Sequence, residues 1–141
     1  MLITPASDFA YMEAYKSLRV KVENLASSRG YKKFLITSAV ADEGKSTVIS
    51  NLAIVLAQKE KSVLIVDCDM RKPTIQTLFS LPGKDVTGLS NLLRGECQAQ
   101  DVIRRSEKFG VSLVTSGPCV DDAAELLDSD AMHAFVAAME E

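Results

Sequence analysis

The stretch SVLIVD, residues 62–67, limits the fold more than any other segment. Four successive apolar residues run into a carboxylate, so an extended chain there would bury both of its faces. A strand with one wet face alternates apolar and polar residues, whereas a central parallel strand, covered by helices on both sides, reads as a continuous apolar run. Two more short runs, KFLITS (33–38) and VSLVTS (111–116), have a similar character. Segments with three- and four-residue apolar spacing lie around them. Strands alternating with helices predict an α/β chain built on a parallel sheet flanked by helices.

Residues 8–28 read as an amphipathic helix. Ser7 or Asp8 can cap it, Met12, Tyr15, Leu18, Val22 and Leu25 recur on one face, and Gly30 follows its end. Further helices are expected over 45–59, briefly over 88–95, for a turn or two within 99–105, and from near Ser129 to the end, with a turn at Pro82-Gly83. In the last helix Met132, Phe135, Val136 and Met139 form an apolar stripe that wants a sheet to cover. Three strands are few for a parallel sheet, so the domain is expected to be incomplete at its C-terminal side. The 141 residues, 47% of them hydrophobic, suit one domain spanning 1–141, with the N-terminal helix inside 1–31.

A net charge of −3 argues against a nucleic-acid-binding surface. Cys68, Cys97 and Cys119 are odd in number and widely spaced, and His133 is the one histidine, which argues against a zinc site and for a reducing compartment. No apolar run approaches the roughly 18 residues of a membrane span. The opening residues lack the basic segment and long apolar core of a signal peptide. A soluble, cytoplasmic chain is expected.

The chemistry lies in SAVADEGKSTVISNLA, residues 38–53. A turn-prone loop follows a strand-like run and enters a helical pattern at Gly44-Lys45-Ser46-Thr47. Such a loop binds phosphate because successive backbone N–H groups and a helix N-terminus point at the same oxygens. Gly44 lets the backbone approach, Lys45 supplies a point charge for the β- and γ-phosphates, Ser46 offers a hydroxyl to Mg²⁺, and Thr47 reaches an inner phosphate. The usual first glycine of the pattern is absent, because position 39 is alanine. The run after SVLIV supplies the second half of a site. Asp67 and Asp69 stand at the carboxyl end of a buried strand, where ligands bind in open α/β sheets. Two carboxylates there are costly unless they face water or a cation, and Mg²⁺ on nucleotide phosphates takes one or two carboxylates while keeping several waters.

These residues resemble the bacterial tyrosine kinases of capsule and exopolysaccharide systems, relatives of the partition and septum-placement ATPases. The family's loop, S-x-x-P-x-E-G-K-S-T followed by N-L-A, is matched by Ser38, Glu43, Gly44, Lys45, Ser46, Thr47, Asn51, Leu52 and Ala53, with Ala41 in place of the proline. That loop does not require the first glycine. The second motif, D-x-D-x-R, is matched by Asp67, Asp69 and Arg71, and separates the kinases from the ATPases more sharply. TGLSNLLRGE (87–96) and TSGPCVDDAAELLDS (115–129) also resemble the family, although Val120–Ala123 stand where proline is usual. Glu13 and Arg19 match an E-x-x-R-x-x-R element of ring-like oligomers, with Lys16 in place of the middle arginine.

The resemblance implies a P-loop NTPase-like fold and transfer of the γ-phosphoryl of Mg·ATP to protein tyrosines. It implies Glu43, Gly44, Lys45, Ser46 and Thr47 at the nucleotide, Ser46, Asp67 and Asp69 at Mg²⁺, and Lys45, Asp67 and Asp69 in catalysis. It further implies a membrane adaptor that recruits the chain to the inner face of the membrane, and a homo-oligomer through Glu13 and Arg19. The family's third carboxylate, in a strand ending D-T-P-P, and its tyrosine-rich tail have no counterpart in these residues; Tyr11, Tyr15 and Tyr31 are no substitute for that tail. Two rival readings stay open: a switch-like ATPase of the partition or septum class, and a nucleotide-binding remnant without turnover.

Overall fold

The computed structural model describes residues 1–82 and 86–140. Helix α1 (Phe9–Arg29) starts where Asp8 accepts the backbone N–H groups of Ala10 and Tyr11, and ends at Gly30, whose φ of 70° favours a residue without a Cβ. Helix α2 spans Lys45–Ala57 and strand β1 Leu64–Val66. Three short helices follow, α3 (Ile75–Leu78), α4 (Leu89–Leu93) and α5 (Ala99–Val102). Then come β2 (Ile103–Ser106), β3 (Val111–Val114), α6 (Ala123–Leu127) and α7 (Asp130–Ala138), the last capped by Ser129 through Met132 N–H.

The sheet has the order β1-β3-β2. β1 pairs parallel to β3 with Val66 opposite Val114, as expected from two apolar runs joined by helices. β2 pairs antiparallel to β3, so the sheet is mixed, and a helix over 99–105 holds only as far as Val102. The reason is a tight return: the N–H groups of Phe109 and Gly110 both bond to Ser106 O, folding Ile103–Ser106 back along β3. Arg104 and Arg105 mark it as an edge strand, where charge guards against further pairing.

Alternation along the strands sorts the core into two faces. Ile65, Val111 and Leu113 pack with Ala53, Ile54, Ile75 and Phe79 on the α2 side. Val114 packs with Met70, Leu89, Leu93, Val102, Ala123 and Phe135 on the other, against α4, α6 and α7. Helix α1 forms an outer layer on α2, with Tyr11, Met12, Tyr15, Leu18 and Val22 against Ile3, Leu52 and Val55. Leu25, expected on that face, is 48% exposed. α1 is about 31 Å long and α2 about 20 Å at 1.5 Å per residue, so the last turns of α1 outrun the helix beneath them. In α7, Met132, Phe135 and Val136 pack as expected, while Met139 is exposed.

The run 33–38 does not form the expected strand. No strand among the described residues pairs with it, and Phe34 and Leu35 are 40% and 87% exposed. The expected Pro82-Gly83 turn lies partly outside the described residues. Within the chain, Arg19 of the expected oligomer element reaches the helix beneath it. Its Nη1 donates to Val55 O at 3.2 Å, capping a carbonyl in the last turn of α2, and its Nε stands 3.8 Å from Glu23. Glu13 pairs with Lys16 at 2.8 Å.

Gly88 fixes how α4 docks on the end of β3. The N–H groups of Leu89 and Ser90 bond to Thr115 O and Ser116 O, and a Cβ on Gly88 would overlap Gly117 N and Thr115 O. Backbone cannot yield there as a flexible side chain would. Gly88→Ala should therefore cost about 1–3 kcal/mol, read as a lower midpoint in thermal unfolding. A midpoint equal to the parent's would contradict this packing.

Candidate functional site

The loop 38–44 shows why the missing glycine does no harm. Positive φ falls at Asp42 (62°) and Gly44 (87°), and Ala39 is not among the residues with positive φ. An alanine therefore fits at 39 without strain. Glu43 braces the same place, its Oε2 accepting Ala39 N–H at 3.1 Å and, more loosely, Val40 N–H at 3.4 Å. Ser38 Oγ donates to Val40 O at 2.8 Å. Nothing lies within 4 Å of where a Gly44 Cβ would stand, so the loop is open at the point a phosphate would approach.

Lys45 is the first residue of α2, and the opening N–H groups of that helix have no partner in the turn before them. Across the crevice, Lys45 Nζ stands 3.3 Å from Asp69 Oδ2. Asp69 Oδ1 accepts Lys72 N–H at 2.9 Å and, weakly, Arg71 N–H at 3.3 Å. These backbone bonds, that from Lys72 foremost, and then Lys45 hold the Asp69 carboxyl below the usual carboxylate range. It is anionic and sits at the mouth.

Asp67 has the opposite environment. It is 7% exposed, its N–H extends the β1–β3 ladder to Val114 O at 2.9 Å, and its Oδ1 accepts Asp69 N–H at 3.0 Å. Burial pushes its pKa up, against backbone hydrogen bonds from Asp69 and Ile75 and the charge of Lys45. Its Oδ2 is buried without a partner. A buried carboxylate oxygen without a protein partner at the end of a strand is a candidate cation ligand.

The structure thus brings Lys45 to Asp69, and Asp69 to Asp67, with Gly44, Ser46 and Thr47 adjoining Lys45 in the chain. Among the described residues no group of three or more His, Cys, Asp or Glu side chains could hold a metal ion. The residues present fit Mg²⁺ rather than zinc, since two carboxylates and a serine hydroxyl are hard oxygen donors. Two more buried oxygens lack partners, Ser50 Oγ and Thr115 Oγ1. Sequence reasoning passed over both. The four-residue step from Ser46 to Ser50 was a usable signal, whereas Thr115 carries none without the strand register.

A family model described as "AAA domain" matches residues 39–137. The chain is 39% identical over 117 residues to the tyrosine-protein kinase YwqD of Bacillus subtilis, covering 83% of this chain and 48% of that protein. It is 33% identical over 117 residues to the putative tyrosine-protein kinase CapB of Staphylococcus aureus, covering 83% of this chain and 50% of that one. The solved kinase domain of Escherichia coli tyrosine kinase ETK superposes with a TM-score of 0.81 at 31% identity, covering 91% of this chain and 49% of that chain. The chain therefore spans half, or slightly less, of each of these three. Its fold is that of a P-loop NTPase-like domain, a mixed sheet flanked by helices.

Removing the buried charge tests the site directly. Asp67→Asn keeps an oxygen for Asp69 N–H and relieves the cost of an ionised group in a dry place. Its melting temperature at pH 7 should rise without nucleotide, while any Mg²⁺-dependent ligand response should be lost. A lower melting temperature would show that Asp67 is a structural acceptor instead.

Proposed function

The chain belongs to the AAA-domain family, and from that membership we propose that it is the ATP-binding part of a bacterial protein-tyrosine kinase controlling capsule or exopolysaccharide synthesis. The observation that carries this reading is the ion pair between Lys45, at the end of the phosphate loop, and Asp69 of D-x-D-x-R, whose N–H in turn bonds to Asp67. Proteins similar over most of this chain are named tyrosine kinases.

Catalysis here is positioning and charge stabilisation, since phosphoryl transfer asks little covalent chemistry of the protein. The loop N–H groups and Lys45 hold the β- and γ-phosphates. Ser46 and Asp67 would hold Mg²⁺, which would supply charge neutralisation to the phosphates. Lys45 leaves Asp69 for the phosphates, and Asp69, at the mouth, draws the tyrosine proton. A bond forms from the tyrosine oxygen to the γ-phosphorus, and ADP leaves.

No helix among the described residues is long and apolar enough to cross a membrane. In the proposed setting the chain is cytoplasmic, brought to the inner face of the membrane by an adaptor of polysaccharide chain-length control. Protomers meet along α1, with Glu13 and Arg19 at the contact. Because Arg19 also caps α2, Glu13→Arg is the cleaner test. It should shift any nucleotide-bound oligomer toward monomer in sedimentation, and an unchanged distribution would remove α1 from the interface.

Mg·ATP or Mg·ADP should raise the melting temperature, because a ligand of the folded state alone stabilises it. Lys45→Ala should lose most of that shift; a parent-like response would misplace the site. With the adaptor and radiolabelled ATP, a kinase extended through the third carboxylate and tyrosine tail should label tyrosine, and its Asp67→Ala and Asp69→Ala variants should not. The 141-residue chain should label weakly or not at all. Label appearing only as free phosphate would favour a switch-like ATPase.

A further inference from the structure

Three buried side-chain oxygens, Ser50 Oγ, Asp67 Oδ2 and Thr115 Oγ1, have no hydrogen-bond partner in the chain. The β1–β3 ladder runs one residue past Val66, through Asp67 N–H to Val114 O, so Asp67 and Thr115 become neighbours on adjacent parallel strands. Strand neighbours lie about 4.8 Å apart. Two residues earlier on each strand, Ile65 and Leu113 face α2, packing with Ala53 and Ile54. By the two-residue period of a strand, Asp67 and Thr115 face the same way.

Ser50 approaches from the helix side. It lies one turn before Ile54 and one turn after Ser46, on the stripe of α2 that meets the sheet. Ser50 and Thr115 are 0% and 1% exposed, and Ser50 Oγ, Asp67 Oδ2 and Thr115 Oγ1 all lack a hydrogen-bond partner. One buried orphan hydroxyl is a defect that costs stability; two on the face of an orphan carboxylate oxygen are an arrangement.

We infer that Thr115 and Ser50 are positioning residues of the metal side of the site, their hydroxyls serving Asp67 Oδ2 through one bridging water, so that the carboxylate is aimed at Mg²⁺. This rests on the nucleotide reading above. Neither hydroxyl touches nucleotide or metal. Each hydroxyl can donate to a water that in turn donates to the carboxylate, which adds no charge. Groups behind a metal ligand change metal affinity by about 10–100-fold when removed.

The test uses the 141-residue chain, with Thr115→Val as the isosteric deletion, Thr115→Ser as the conservative variant and Ser50→Ala as the second site. Two quantities are read: the melting temperature without ligand, and the Mg²⁺ concentration that half-saturates the stabilisation by ADP. Deleting a hydroxyl that lacks a structural partner should leave the first unchanged or raised. The second should rise about tenfold or more for Thr115→Val and for Ser50→Ala, and return near the parent value for Thr115→Ser. A parent-like Mg²⁺ dependence in both deletions overturns the inference. So does a weakened dependence that tracks a fall in the ligand-free melting temperature, because that is a packing effect. A parent chain blind to Mg·ADP overturns the nucleotide reading and this inference together, whereas a responsive parent with indifferent variants overturns this inference alone.

Discussion

The ion pair between Lys45 and Asp69, 3.3 Å long, joins the start of α2 to the loop after β1. Everything at the site depends on those two elements meeting. The parallel β1–β3 ladder fixes where β1 ends, and the packing of Ala53 and Ile54 on Ile65 and Leu113 fixes where α2 begins. The pair itself is weak. Its side chains are 33% and 27% exposed, and ion pairs in such surroundings contribute about 0–1 kcal/mol. That weakness suits a lysine that has to trade a carboxylate for phosphate.

The surroundings show a fold giving up some stability for a site. Asp67 is an ionisable group in a dry place, Ser50 and Thr115 bury unpartnered hydroxyls, and Asp42 holds a positive φ without being glycine. Local violations of the rules of packing and pairing concentrate where a chain does chemistry. Asp42, Ser50, Asp67 and Thr115 lie near Lys45 or at the ends of β1 and β3, while Glu60, Ser80 and Arg19 Nε depart from the rules elsewhere. The opposite face, where Leu89, Val102 and Val114 are fully buried, carries none of them.

Much of this was legible in the residues alone. The runs SVLIVD and VSLVTS became β1 and β3, paired parallel, because continuous apolar runs have few other places to go. α1, α2 and the N-cap at Ser129 followed from spacing and capping chemistry. Edge strand β2 was not legible: IRRS has no apolar alternation, and its pairing follows from a turn at 106–110 that only tertiary contact selects. KFLITS misled in the other direction, since β propensity describes a residue's fit to a sheet and supplies no neighbouring strand. At the site, the motif named Lys45, Asp67 and Asp69, but which carboxylate is buried depends on sheet register, and Thr115 is silent in the sequence for the same reason.

The central claim is that Lys45 and the two aspartates form one Mg·nucleotide site. A crystal structure of the chain with Mg·ADP tests it most directly. The account predicts the β-phosphate against the loop N–H groups of residues 42–47, Lys45 Nζ moved from Asp69 to phosphate oxygen, and Mg²⁺ between Ser46 and Asp67. A nucleotide seated elsewhere, or seated in the loop with the Lys45–Asp69 pair intact and no metal near Asp67, would contradict it.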